Sequence, residues 1–431
     1  MREMRDSGIA WIGAIPQNWQ LSKIGSLYTQ RNEKVSDKDY QPLSVTMQGI
    51  LPQLATAAKT DDGDNRKLVR VGDFAINSRS DRRGSCGISP LDGSVSLINI
   101  ILTPRTAMHP GYYNWLFHTT LFADEFYKWG HGIVADLWTT RWQEMKSITV
   151  PVPEYAEQER IAAFLDAECT EIDTVLEKTR SSIEEYKKLK QAIITQAVTK
   201  GIRGDRPMKD SGIEWIGEIP VKWKVASIGR FCFVTKLAGF EFTNDMMSNI
   251  QDSGDIPIIR AQNIKMGKFI NNISEFIPYR ISQKLDRCAL NRKCLIITFI
   301  GAGIGEVAIF NEPKRYHLAP NVAKIVINVG MEHFVTEEYL LYFLMSFAGQ
   351  EEINKIKKAT AQPSLSMGTI RSIKMVLPDS IEEQSEIVSY LDMRCASIDA
   401  LIAKKQQYLT EIENYKKSMI YEYVTGKKEV V

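Results

Sequence analysis

The glycines of Phe299-Ile300-Gly301-Ala302-Gly303-Ile304-Gly305 are the first residues to test for chemistry. F-x-G-x-G is the pattern of a loop that holds S-adenosylmethionine, and a glycine run can also cradle phosphate. Either cradle needs a strand before the glycines and a helix after them. Glu306-Val307-Ala308-Ile309-Phe310 instead predicts a second strand, so a glycine-rich hairpin is expected. The chain also lacks any Pro-Pro pair, which an amino-methyltransferase needs to grip its target amine. His109, His118, His131, His317 and His333 are scattered, with no metal-ligand spacing. Cys86, Cys169, Cys232, Cys288, Cys294 and Cys395 form no CxxC pair. Gly-x-Ser-x-Gly, Walker and HExxH patterns are absent. No catalytic residue, cofactor or metal site is assigned, and a chain that is not an enzyme is expected.

The chemistry that remains is recognition. Asn77-Ser78-Arg79-Ser80-Asp81-Arg82-Arg83-Gly84-Ser85 reads as a polar loop after a strand. Arginine forks suit guanine edges and phosphates, and small hydroxyl residues suit phosphate oxygens. Arg79, Arg82 and Arg83, supported by Lys128 and Arg141, are therefore candidates for DNA contact. In the second half the candidates are Arg260, Gln262, Asn263 and Lys265, with Lys355, Lys357 and Lys358. The competing reading of each cluster is an ordinary solvated surface.

The elements that must position these residues occur twice. Residues 6–25 and 210–229 match at twelve of twenty positions, including Asp-Ser-Gly-Ile-x-Trp-Ile-Gly-x-Ile-Pro-x-x-Trp. Chance would give about one match in twenty, so the chain is internally duplicated. Glu157-Gln158, Ile161, Leu165-Asp166, Cys169 and Ile172-Asp173 return as Glu383-Gln384, Ile387, Leu391-Asp392, Cys395 and Ile398-Asp399. The first offset is 204 and the second 226, so the halves share their edges and differ by 22 residues between them. The tryptophans read as buried anchors of a turn-rich opening motif.

Between those edges, Phe74-Ala75-Ile76, Leu97–Leu102 and Ile256–Arg260 predict strands, and Tyr112–Phe126 has helical spacing. Glu157–Val198 contains neither proline nor glycine and carries apolar residues at spacings of three, four and seven. That predicts a helix on the order of 60 Å long. A second such helix is predicted from about Ser380 to Tyr423. Each apolar stripe needs a partner, and the simplest is the other helix, with Cys169 and Cys395 on the seam.

Composition sets the outer bounds. The 431 residues are 44% hydrophobic and 25% charged, which fits two folded domains with linking elements. A net charge of +2 leaves nucleic acid open, because Lys and Arg can concentrate on one face. Without an apolar run of spanning length or a signal-like start, a cytoplasmic protein is expected.

Two different inserts in a duplicated frame, each followed by a long helix, resemble the specificity subunits of type I restriction–modification systems. The opening motifs carry the resemblance, with Pro151-x-Pro153 and Pro378 leading into the two helices. Val198-Thr199-Lys200-Gly201 and Val424-Thr425-Gly426-Lys427 resemble the helix ends. Leu43–Thr46, Val71–Asn77 and Gly303–Ala308 look like core pieces of target-recognition domains. The resemblance spans the chain and is specific for the frame. It implies an α+β fold: two mixed α/β recognition domains in tandem, with two long antiparallel coiled-coil helices and pseudo-twofold symmetry. The expected boundaries are 1–154, a central helix 155–200, a linker 201–207, 208–378, and a distal helix 379–426. The family implies a non-catalytic reader of an asymmetric bipartite site in double-stranded DNA. Two modification subunits dock on the helices, bring S-adenosylmethionine and flip an adenine, and restriction subunits join them. The alternative is a coiled-coil assembly adaptor that never touches DNA, and a methyltransferase in its own right is a third reading.

If the helices set the spacing of the two half-sites, three or four residues inserted near Glu177–Ser182 keep the stripe in phase. They also shift one domain by about 5–6 Å, one or two base pairs. The recognition motif of that variant is then expected to change its spacer and keep both half-sites. An altered half-site with an unchanged spacer would refute the ruler.

Overall fold

The computed structural model describes residues 2–54, 63–132, 138–301, 303–357 and 364–430. The chain divides into two compact units, Met1–Arg180 with Gln406–Val431, and Ser181–Lys405.

The first unit opens on a two-stranded ribbon, with Met4 opposite Pro16. The shared motif is explained by this turn. Asp6 Oδ1 accepts from the Gly8 N–H at 3.0 Å, and Gly8 and Gly13 sit at φ of 71° and 69°. The second copy has the same features, with Asp210 on Gly212 at 2.9 Å and φ of 73° and 68° at Gly212 and Gly217. Glycine tolerates that left-handed backbone where other residues are strained.

A four-stranded antiparallel sheet follows, built from β1 (Tyr28–Arg31), β2 (Phe74–Asn77), β3 (Cys86–Ile88) and β4 (Asn99–Pro104) in the order β3-β2-β4-β1. Asp73 opens β2 as a buried carboxylate. It takes both Arg31 donors at 2.8 and 3.2 Å and the Thr103 hydroxyl at 2.9 Å. One face of the sheet packs on α1 (Pro110–Phe117) and α2 (Thr120–Lys128) through Phe74, Phe117 and Phe122. Thr149–Val152 pairs with Gln20–Lys23 and leads into α3 (Tyr155–Lys200).

The second unit repeats this plan with β5 (Cys232–Lys236), β6 (Cys294–Thr298), β7 (Val307–Phe310) and β8 (Val322–Ile327) in the order β5-β8-β6-β7. Helices α4 (Glu337–Met345) and α5 (Phe347–Ile356) cover it. Lys374–Leu377 pairs with Lys224–Ser227 and leads into α6 (Ile381–Val424). Each unit adds a further sheet: in the first, Gly93–Val95, Arg66–Val69 and Lys34–Val35, and in the second a four-stranded one with a parallel pair between Ile256–Ile259 and Tyr316–Leu318.

Inside each unit the long helices run antiparallel. In the first, Phe164 meets Tyr423 at 4.4 Å between centroids, and Lys416 reaches Asp173 at 2.6 Å. In the second, Lys190 reaches Asp399 at 2.6 Å. Cys169 and Cys395 are buried, as are Leu176 and Ile183. Leu189, Leu401 and Tyr415 from the expected stripes are exposed. A straight helix drifts about 20° per heptad from a 3.5-residue repeat, so one partner cannot cover the whole stripe.

The two repeated segments meet in space. The Trp19 indole N–H donates to Glu157 Oε2 at 2.8 Å, and the Trp223 indole to Glu383 Oε2 at 3.0 Å. Arg2 and Arg206 complete each joint by pairing with the same carboxylate at 2.6 and 2.7 Å. They also lie over the Trp19 and Trp223 rings, at 5.3 and 5.8 Å from the centroids. All four tryptophan and carboxylate side chains are largely withdrawn from solvent.

Trp223→Phe is expected to cost the second unit about 1–3 kcal/mol, because Glu383 loses a donor while still held by Arg206. Urea unfolding followed in that unit measures it. An unchanged midpoint would mean that Arg206 alone satisfies the carboxylate.

Candidate nucleic-acid interface

The arginine loop is the hairpin between β2 and β3. Asn77 Oδ1 accepts from the Arg79 N–H at 3.1 Å, and the Tyr127 hydroxyl donates to the carbonyls of Asn77 and Arg82 at 3.0 and 3.2 Å. The loop is thereby pinned at both ends. Its tip carries the charge: Arg79 and Arg82 flank Asp81 at 3.7 and 3.8 Å, and Arg83 pairs with Asp124 on α2. These pairs are exposed, and such pairs contribute little. A polyanion could replace them at small cost.

Segment 138–142 lies against the same hairpin. Ser80 N–H donates to Trp138 O at 2.9 Å and Thr140 N–H to Ser78 O at 3.0 Å. This brings Arg141 beside Arg79 on the rim of a cleft of about 510 Å³. The Arg141 backbone N–H donates to Glu144 Oε2 at 2.9 Å, while its guanidinium has no carboxylate partner among the described residues. Lys128 is exposed beside Glu125 at 3.6 Å and does not line the cleft.

The candidates of the second half are less unified. Arg260 is half-buried and held by Glu275 at 2.5 Å, and Gln262 is exposed next to it. Lys265 is exposed and reaches Glu306 at 3.6 Å. Lys355 lies over the Trp215 ring at 4.9 Å, and Lys357 donates to Asn354 at 2.7 Å. Lys358 falls outside the described residues. Asn263 does not face outward as expected. It is 3% exposed, its amide donates to the carbonyls of Ile270 and Asn272 at 3.1 Å each, and its oxygen accepts from Arg260 N–H. A side chain occupied on both its donor and acceptor shapes the loop and reads nothing.

The glycine loop occupies the hairpin between β6 and β7. Thr298 N–H donates to Glu306 O and Gly305 N–H to Thr298 O, both at 2.9 Å. A strand follows it, where a phosphate or cofactor cradle would have a helix. In topology it is the counterpart of the arginine loop. Asn77 pairs with Asn99 as Thr298 pairs with Val322, and Arg79 bridges to Thr139 as Ile300 does to Ser364. Reading the sequence missed this correspondence, although the 204-residue offset does continue through β1 and β5, from Tyr28 and Cys232 onward.

Other reactive groups serve the core. All six cysteines are buried and unpaired, and burial pushes the Cys288 and Cys294 thiols up to about 11 and about 12. Thiols so protonated are poor nucleophiles. His118 and His317 are lowered by burial and tied to backbone carbonyls.

Residues 220–414 match the type I restriction modification DNA specificity domain. The MjaVIII type I restriction enzyme specificity subunit of Methanocaldococcus jannaschii is 26% identical over 66% of this chain and 63% of its own length. The EcoKI specificity subunit of Escherichia coli K12 is 22% identical over 96% of this chain and 90% of its own length. The chain is thus similar to the specificity subunits of type I restriction–modification systems. Its fold agrees with that of solved structures. A chain from an assembly study of a type I system aligns with a TM-score of 0.73 at 13% identity, over 96% of this chain and 99% of that one. The HsdS subunit from Thermoanaerobacter tengcongensis aligns at 0.52 with 15% identity, over 96% and 98%. Matches to the first curated relatives reach 63% and 59% of their lengths.

Asn263→Ala is expected to destabilise the second unit by about 1–3 kcal/mol, since two part-buried carbonyls and one N–H lose their partner. Gln262→Ala should leave the urea midpoint in place. Equal effects of the two would refute the structural role of Asn263.

Proposed function

We propose that this chain reads DNA sequence for a type I restriction–modification assembly and catalyses nothing itself. In this reading residues 1–154 and 208–378 each recognise half of an asymmetric bipartite duplex site. The helical segments 155–200 and 379–426 hold two modification subunits, restriction subunits join that core, and the assembly works in the cytoplasm. The observation that carries the proposal is the pairing of one frame with two unlike hairpins. Both units close on the same tryptophan–glutamate–arginine joint, yet one presents Arg79, Arg82 and Arg83 where the other presents Gly301, Gly303 and Gly305. A frame kept constant around surfaces that differ is what a reader of two unlike half-sites requires. Arginine and lysine on those surfaces would neutralise phosphates and confer salt dependence, while arginine and amide side chains would discriminate bases.

The full chain, co-expressed with the modification subunit of its own system, tests this by selection from fully randomised duplexes. Selected sequences are expected to share two unlike short blocks at fixed spacing, with affinity falling steeply as salt rises. A complex that assembles normally and enriches no sequence would establish the adaptor reading instead.

A further inference from the structure

We infer that the first unit reads bases through the cleft beneath the arginine loop, with the amides of Gln30 and Asn32 as base-edge readers. The inference rests on the DNA-reading proposal and names the site of contact within it. Gln30 lies at the end of β1 and Asn32 just beyond it, and both line the cleft that Arg79 and Arg141 rim. Three other polar groups of the cleft are already engaged. Lys67 Nζ donates to Asn99 O at 2.7 Å, Ser78 Oγ to Ile98 O, and Thr140 Oγ1 to Phe126 O at 2.9 Å. The Gln30 and Asn32 amides and the Arg141 guanidinium have no hydrogen-bond partner among the described residues. Side-chain groups without a protein partner thus converge on one cavity, next to Lys67, Ser78 and Thr140, which are bonded.

Their chemistry suits the edge of a base pair better than the phosphate backbone. An amide offers a donor and an acceptor side by side, the pattern that pairs with adenine N6 and N7, and an arginine fork matches guanine. Leu97 and Ile98 sit on the same cleft at 38% and 40% exposure, an apolar surface of the kind a thymine methyl packs against. Phosphate alone would call for cations and would leave the amides and the apolar residues without a role. The corresponding place in the second unit is built differently. Register puts Lys236 where the first unit has Asn32, and its ammonium lies over the Phe299 ring at 4.5 Å. Ile300 stands in the place of Arg79. The two units would therefore read different bases from equivalent positions.

The test uses the full chain with its modification subunit, wild type against Gln30→Ala and Asn32→Ala, on the randomised duplexes described above. Neither amide bonds to the protein, so thermal unfolding should be unchanged and should report folding of each variant. Each variant is expected to lose about ten-fold or more in discrimination at one or two positions of a single half-site. The other half-site and the salt slope should stay as in wild type. Unchanged discrimination in both folded variants would overturn this inference and leave the proposed function standing. Uniform weakening on every sequence, with a shallower salt slope, would also overturn it by making the cleft a phosphate contact. A wild-type complex that selects no sequence would overturn both.

Discussion

Each unit depends on one hydrogen bond between an indole N–H and a glutamate carboxylate. Trp19 and Glu157 are 138 positions apart, and Trp223 and Glu383 are 160 apart. The difference is the 22 residues by which the two inserts differ in length. Tying the ends of an insert to each other removes its length from the problem of holding the frame. The tryptophan brings a large buried surface, and the carboxylate, shielded by Arg2 or Arg206, brings direction. The pairing of Thr149–Val152 with Gln20–Lys23, and of Lys374–Leu377 with Lys224–Ser227, then aims each long helix away from its joint.

Other bonds tie each unit to a helix end. The Tyr112 hydroxyl donates to Val424 O at 2.8 Å, and Tyr421 and Lys427 reach the Ile12 carbonyl at 2.8 and 2.6 Å. In the second unit the Tyr339 hydroxyl donates to Val198 O at 3.1 Å. The same aromatic contact therefore holds the end of α6 in one unit and the end of α3 in the other. This accounts for the likeness of Val198-Thr199-Lys200-Gly201 and Val424-Thr425-Gly426-Lys427. In both, the valine and threonine are buried.

Within this frame the variable surfaces carry little stability. The arginines of the first hairpin are exposed and engaged only in surface pairs, worth about 0–1 kcal/mol each. The hairpin's shape comes instead from Asn77 and Tyr127 below the tip. Loop residues can thus change without unfolding the sheet, as expected where binding side chains ride on a rigid scaffold.

The sequence by itself determined the duplication, the turn-rich opening motif with buried tryptophans, the two long helices and the differing middles. Each of these is local or periodic: a glycine that must adopt positive φ, a stripe at helical spacing, a repeat at fixed offset. The family resemblance was legible for the same reason, because the frame residues answer to one packing problem solved twice. Tertiary structure decided what each candidate side chain can do. Asn263 reads in sequence like an amide free to recognise a base, yet its loop folds back and takes two bonds from its amide nitrogen and gives one to its oxygen. Gln30 near the end of β1 and Asn32 just beyond it stand open in a cleft assembled from five segments of the first unit. The arginine and glycine loops share no residue pattern, and only strand register reveals them as one hairpin position. Partners in hydrogen bonding are set by residues dozens of positions away, so whether a polar group is occupied or free is a property of the fold.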